Sequence, residues 1–299
     1  MKSITEIINY FFEFFLSEKT KKKCEKTIVY IAIISFIVHL LVIALVNLNV
    51  IDINDPSKLL VNPIAAIYTP FSFIIVYEVY LLIYYLPKST SVYIGKQYEI
   101  ISLIIIRRIF KDLSNIELTT DWFLVKNDIQ FTYDIVAIVI LFYMIYYFYK
   151  LVKINTQAAE EPKKSEIIGF INLKKIIAVC LIPILFAMSI FSLSHWIYEN
   201  FFSISKLIKE LKDINNIFFE NFFTVLILVD VLILIYSFLY SDKFYKVIRN
   251  SGFIISTVLI KISFSTTGLI NTILIVVAVL FGVVIFKIHN LYNKDEVAK

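Results

Sequence analysis

The feature that most constrains this chain is a series of apolar windows, each long enough to cross a lipid bilayer. A membrane-crossing helix needs about 20 mostly apolar residues, and such windows lie at residues 27–47, 64–86, 131–151, 174–197, 218–240 and 269–286. Hydrophobic residues make up 59% of the 299 residues and charged residues 18%, whereas soluble domains carry about 25% charged residues. The sequence therefore predicts an all-α polytopic integral membrane protein.

Two further apolar segments, 94–110 and 252–264, are shorter and contain charged residues. Each could cross the membrane, re-enter it or lie at its surface. Lys and Arg in short loops stay on the cytoplasmic side, and if both segments cross, most of the 29 Lys and Arg residues are cytoplasmic. If the first did not cross, Lys163 and Lys164 would be outside. We therefore expect about eight transmembrane helices, two of them short, in a multi-pass cell-membrane protein with cytoplasmic N- and C-termini.

An internal repeat is indicated by two similar segments. Residues 100–107 (IISLIIIR) align with residues 254–261 (IISTVLIK), so a base ends each segment, and an acid precedes each on the helix before it, at Glu78 and Asp230. We interpret this pattern as two tandem four-helix repeats. The predicted division is an amphipathic interfacial helix and basic segment at 1–26, a first membrane unit at 27–151, a basic linker at 152–173, a second membrane unit at 174–287 and a cytoplasmic tail at 288–299.

Four charged residues inside predicted spans are the main site candidates, because intramembrane ionisable residues are expensive and mark functional sites by default. Their depths, counted along the helices, predict two pairs, Glu78 with Arg107 and Asp230 with Lys261. One hypothesis is that these charges line an ion path or form a gate. The other is that each pair only fixes one helix against another, as buried ion pairs can do.

Secondary candidates are polar groups in or beside other spans. His39 and His195 lie in corresponding helices of the two units, and a lone His in a span more often forms a hydrogen bond between helices than a proton relay. Asp134 is a further acid inside a span. Ser265, Thr266 and Thr267 form a hydroxyl-rich segment that we interpret as an ordinary turn, with a filter-like role as the alternative.

The sequence carries no motif for catalysis, metal or cofactor binding, or nucleic-acid binding, so we expect a protein that is not an enzyme and needs no cofactor. Basic residues at 19–26 predict contact with anionic lipids of the inner leaflet. Together with Lys163, Lys164, Lys174 and Lys175 they could also capture an anionic cytoplasmic ligand. The repeat further suggests a homo-oligomer with a pore on the common axis.

The function that these features favour is an oligomeric membrane ion channel or pore. A gated, membrane-depolarising effector is one biological role consistent with so compact a chain. The alternatives are a secondary transporter of a small solute or protons, which would use the same charges in alternating access, and a membrane scaffold that transports nothing.

Overall fold

A computed structural model describes residues 4–50, 62–113, 126–158, 164–201, 214–238 and 244–297, and within these ranges the chain is helical with no strands. A short 3₁₀ helix, Pro63–Ile67, precedes α3. The α-helices are α1 (Ile4–Leu16), α2 (Glu18–Asn47), α3 (Tyr68–Tyr85), α4 (Thr90–Leu113), α5 (Lys126–Ala158), α6 (Lys164–Phe201), α7 (Ile214–Ser237), α8 (Phe244–Phe264) and α9 (Leu269–Val297).

Five stretches of helix are long and apolar enough to cross a membrane. The described part of the chain is therefore all-helical, with five stretches that could span a membrane, which confirms the coarse fold class expected from the sequence. Two further apolar helices, in α3 and α7, are shorter, and α4 is too rich in charge to qualify by composition. The five stretches are Glu6–Asn47, Ile129–Lys153, Gly169–Met188, Tyr245–Phe264 and Leu269–Asn293.

The prediction that segments 94–110 and 252–264 form short helices is wrong. They belong to α4, which has 24 residues, and to α8, which has 21, whereas α3 has 18. In α4 some of the polar residues are buried against other helices, and the helix continues through them. Gln97 is fully buried and Arg107 is 4% exposed. In α8 the helix begins eight residues before Gly252, because residues 244–251 continue the same helix.

The N-terminal boundary also differs from the predicted one at residue 26. Ser17 caps α2, since its Oγ accepts a hydrogen bond from the Thr20 backbone N–H at 3.2 Å. The basic residues 19–26 are therefore the first turns of α2 and run without a break into the apolar stretch. At the other end Asn49 has φ +56° and the Val50 N–H bonds Leu45 O at 3.0 Å, a left-handed helix stop.

Helix α1 lies against the bundle through one face only. Phe12, Phe15 and Leu16 pack on the core, and the Tyr80 hydroxyl donates to Phe15 O at 2.9 Å. Phe11 and Phe14 on the opposite face are exposed. That α1 lies at a membrane interface stays a prediction.

Helices α3 to α9 form a closed ring in which each helix contacts its two neighbours. The order around the ring is α3, α4, α5, α9, α8, α7, α6 and back to α3, and α4 also contacts α8 across it. Helix α2 packs on α3 and presents large apolar residues such as Ile34 and Leu41 outwards. The exposed apolar surface suits a hydrocarbon environment, and the polar residues of α4 lie within the ring.

The contact of the Tyr98 side chain of α4 with α9 depends on Gly282. The Ser256 hydroxyl donates to Ala278 O at 2.7 Å, so Tyr98 donates its own proton to Ser256 at 3.0 Å. This fixes the Tyr98 ring over Gly282, where an added Cβ would lie 1.7 Å from Tyr98 Oη and 2.8 Å from its Cζ. Only a residue without Cβ fits under this ring.

We expect Gly282→Ala to lower the free energy of unfolding by about 1–3 kcal/mol, the usual effect of overpacking a core. Tyr98→Phe removes Oη, the atom closest to the added Cβ. Gly282→Ala should therefore lower the free energy of unfolding by less in the Tyr98→Phe protein than in the wild type. Thermal unfolding of the four proteins in detergent (wild type, each single variant and the double variant) measures the difference. An equal loss in both backgrounds would contradict the contact.

Candidate functional site

A buried carboxylate at Asp230 forms the centre of the first polar cluster. Asp230 lies on α7 and is 8% exposed, and Gln97 of α4 and Thr257 of α8 beside it are fully buried. Thr257 Oγ1 donates to Gln97 Oε1 at 2.8 Å, which orients the amide so that Gln97 Nε2 donates to Asp230 Oδ2 at 3.3 Å. Three helices thus hold one acid through uncharged groups.

A small cavity opens beside Asp230. Its volume is about 20 Å³, and its polar lining comes from Thr90, Tyr93, Lys174, Asp230 and Asn250. Lys174 of α6 is 4% exposed and its Nζ donates to Thr90 Oγ1 at 3.0 Å. An acid and a base therefore line the same cavity without the direct contact of an ion pair, since the ion pairs described in the structure involve other residues.

The Tyr93 hydroxyl is the third functional group at this cavity. It is buried near Asp230 and Gln97, yet it has no hydrogen-bond partner among the described residues. A buried hydroxyl without a partner costs about 1–3 kcal/mol. The cavity wall therefore carries hydrogen-bonding capacity that the protein itself leaves unused.

Asp230 and Lys261 are not brought together as a pair. Lys261 lies one helical turn beyond Thr257 on α8 and is half-buried, and no ion pair joins it to Asp230 among the described residues. The apolar segment predicted from the sequence begins at Gly252, but α8 begins at Phe244, so Lys261 lies farther along its helix than the sequence predicts. Asn250, Phe253 and Ile254 line the cavity with Asp230 instead.

Glu78 and Arg107 are likewise apart. The charges nearest Glu78 are Lys96 and Glu99 of α4, and Glu78 Oε2 is buried without a hydrogen-bond partner among the described residues. Arg107 is eleven residues beyond Lys96 on the same helix, about 16 Å at the helical rise of 1.5 Å per residue. The two acids predicted from the repeat therefore both lie against α4, at nearly the same level.

The Glu78 environment includes a second set of polar contacts. Lys96 forms an ion pair with Glu99, and the Tyr149 hydroxyl of α5 donates to Glu99 Oε1 at 2.6 Å. Gly95 makes room for this contact, because a Cβ there would lie 2.8 Å from the Tyr149 ring. Lys96, Glu99 and Tyr149 were not predicted as site residues from the sequence. The i,i+3 spacing of Lys96 and Glu99 inside an apolar segment is a signal that could have identified this ion pair.

A second polar cluster lies toward the other end of α4 and is centred on Asp134. Arg108 binds this fully buried carboxylate through two atoms, Nε to Oδ2 at 2.5 Å and NH2 to Oδ1 at 2.6 Å. Gln130 and Thr272 also donate to Oδ1, at 2.9 and 2.8 Å. Arg108 NH1 in turn reaches Asn271 Oδ1 at 2.5 Å, so the cluster ties together α4, α5 and α9.

The remaining candidates have local partners. His39 Nδ1 is hydrogen-bonded to Thr69 Oγ1 at 2.6 Å, joining α2 to α3. Thr266 Oγ1 donates to Ser263 O at 2.9 Å and the Ser265 N–H to Ile262 O at 3.1 Å, which makes Ser265, Thr266 and Thr267 the turn that ends α8. His195 lies within α6, but its side chain is outside the described residues, as are Lys163 and the side chain of Lys164.

The described part of the chain contains no group of three or more His, Cys, Asp and Glu side chains placed to hold a metal ion. Comparison with protein-family models, with curated proteins and with solved structures gives no match. The functional argument therefore depends on the chain's own residues.

We expect Arg108→Met to destabilise the protein by about 3–5 kcal/mol, because it leaves the Asp134 carboxylate buried without its cation. The double variant Arg108→Met, Asp134→Leu replaces the whole ion pair by apolar groups and should recover most of that loss. Lys287→Met removes an exposed Lys from α9 and serves as the matched control. Thermal unfolding in detergent compares them; equal behaviour of the Arg108 and Lys287 variants would rule out a stabilising role for the ion pair.

Proposed function

We propose that this protein is an ion channel that conducts protons or small monovalent cations across a membrane, with Asp230 as the group that binds the ion. The observation that carries the proposal is an enclosed carboxylate held by Gln97 and Thr257 beside a cavity. An acid at the centre of a membrane helix costs about 2.5–3.5 kcal/mol on insertion scales. A group this expensive, which forms no ion pair with a described residue, is suited to bind a mobile positive charge.

Eight crossings remain part of the proposal. Helices α4 and α7 have 24 residues each, about 36 Å at 1.5 Å per residue, which exceeds the roughly 30 Å of a hydrocarbon core. Helix α3 has 18 residues and spans about 27 Å. If α4 crosses with its polar side chains facing the interior of the ring, its charges stay away from lipid. A helix shielded in this way can cross a membrane although its composition is too rich in charge to identify it as a span.

A tandem duplication is supported by the pairing of equivalent helices. In both proposed units consecutive helices pack on one another, and the equivalent helices α4 with α8 and α5 with α9 contact each other between units. Such contacts are expected around a pseudo-twofold axis. The acid-bearing helices α3 and α7 then lie on either side of the α4–α8 pair.

The polar residues favour a path through each chain over one on an oligomer axis. The Asp230 cluster and the Arg108 cluster lie eleven residues apart on α4, measured from Gln97 to Arg108, about 16 Å along the helix. Between them α4 presents Ile101 and Ile105, and α8 presents Ile260, all fully buried. We propose that this apolar layer is the closed gate of the path and that a homo-oligomer, if formed, carries one path in each subunit.

A carrier is the second candidate, and the small size of the cavity favours it. A site of about 20 Å³ separated from the second cluster by apolar residues is what an occluded state of alternating access would contain. Recordings from purified protein in planar bilayers distinguish the two functions. Unitary currents identify a channel, and slow saturable flux without unitary currents identifies a carrier.

We expect Asp230→Asn to reduce ion flux into proteoliposomes at least tenfold, because the amide keeps the shape of the side chain and removes its charge. Glu13→Gln makes the same change at an exposed residue of α1 and should leave flux unchanged. The measurement is flux per inserted molecule, with thermal unfolding recorded on the same preparations. Wild-type flux in a folded Asp230→Asn protein would make Asp230 a structural residue and would refute the proposal.

A further inference from the structure

We propose that the cavity beside Asp230 binds a single water molecule bridging Lys174, Tyr93 and Asp230, and that the ion conducted is therefore the proton. This inference depends on the proposed function and specifies its ion. Metal cations and anions are excluded by the same groups that hold the water.

The size of the cavity sets the first limit. A volume of about 20 Å³ accommodates one water, for which roughly 10–15 Å³ of probe-occupied volume is the minimum. A hydrated sodium or potassium ion does not fit. A bare metal ion would need its hydration shell replaced by several protein oxygens, as in ion filters, and here one carboxylate and three side chains bearing hydroxyl or amide oxygens line the cavity.

The hydrogen-bonding groups of the wall match a water molecule. The Lys174 ammonium has three N–H donors, and one of them reaches Thr90 Oγ1. The Tyr93 hydroxyl is buried without a partner in the described structure and lies near Asp230. A water between them can accept from Lys174 and from Tyr93 and donate to Asp230, which satisfies the three groups at once.

The charges around the cavity exclude other ions. Lys174 already supplies a positive charge, and Arg249 lies nearby, with its guanidinium donating to Asn250 Oδ1 at 3.0 and 3.1 Å. A metal cation would have to enter beside these two cations, at low dielectric where repulsion is strong. An anion would meet the Asp230 carboxylate. A proton adds no volume, since it moves by exchange of O–H bonds between the water and the carboxylate.

The proton step balances within this group. The bridging water passes one of its protons to an Asp230 oxygen while it takes up the incoming proton, so one O–H bond forms on the carboxylate while one breaks and one forms on the water. The incoming positive charge is thereby neutralised on Asp230, and no hydronium remains beside Lys174 and Arg249. Release to the other side reverses the step. Lys174, Tyr93 and Arg249 are the other titratable groups facing the cavity or adjoining it, and the step takes no proton from them.

The test compares proton flux with alkali-cation and chloride flux in proteoliposomes, using a pH dye and ion-specific dyes with sodium, thallium and chloride gradients. Wild-type protein should carry protons at least a hundredfold faster than the other ions. Lys174→Met removes the fixed cation and should raise sodium or thallium flux about tenfold, and Lys287→Met is the matched control with wild-type selectivity. Tyr93→Phe removes one hydroxyl from the bridge, keeps the ring and should slow proton flux about tenfold.

The possible outcomes distinguish a failure of the bridging-water inference from a failure of the proposed channel function. Sodium, thallium or chloride flux comparable to proton flux in the wild type would overturn the inference and leave ion conduction intact. Unchanged proton flux in a folded Tyr93→Phe protein would overturn the bridging water even if Lys174→Met could not be purified. No flux of any ion from wild-type protein would instead refute the proposed function.

Discussion

The enclosure of α4 by other helices is the constraint on which the rest of the structure depends. This helix carries Gln97, Arg107 and Arg108 among apolar residues, and exposing such groups to hydrocarbon would cost several kcal/mol each. Within the ring, α3 and α5 on either side of α4 and α8 across from it shield most of these groups and supply partners. Helix α2, which packs outside the ring on α3, can then present large apolar residues outwards.

Because α4 is central, its two polar levels organise the whole bundle. At the level of residues 93–99 one face meets Asp230, Lys174 and Thr257, and the opposite face meets Glu78 and Tyr149. Near Arg108 a second level joins α5 and α9. Helix packing in a membrane gains little from the hydrophobic effect, so hydrogen bonds and close contacts of this kind determine which helices are neighbours.

The helical class and the apolar stretches could be predicted from the sequence. The sequence also identified Glu78, Asp134 and Asp230 as acids inside apolar segments. It could not supply the partners of those acids, because a partner depends on helix register and on the face turned inward. Asp230 illustrates this: α8 starts at Phe244 and not at Gly252, and its residue in the Asp230 cluster is Thr257, with Lys261 one turn farther along. Arg108 illustrates the other difficulty, since hydropathy assigns it to the aqueous side although it binds a fully buried carboxylate. Composition does not distinguish a charge facing water from one enclosed by helices.

The two buried acids, Asp134 and Asp230, differ in a way that separates structure from function. Asp134 accepts four hydrogen bonds within 3.0 Å, two of them from a guanidinium, so its charge is compensated by a network that joins three helices. Among the described residues, Asp230 accepts a hydrogen bond from a neutral amide at 3.3 Å, and a base lies close by without forming an ion pair with it. In the proposed function, a carboxylate that is compensated this weakly gains and loses a proton without breaking an ion pair between helices. The difference between the two acids supports the proposal that Asp230 binds the mobile ion, while Asp134 and Arg108 stabilise the packing of α4, α5 and α9.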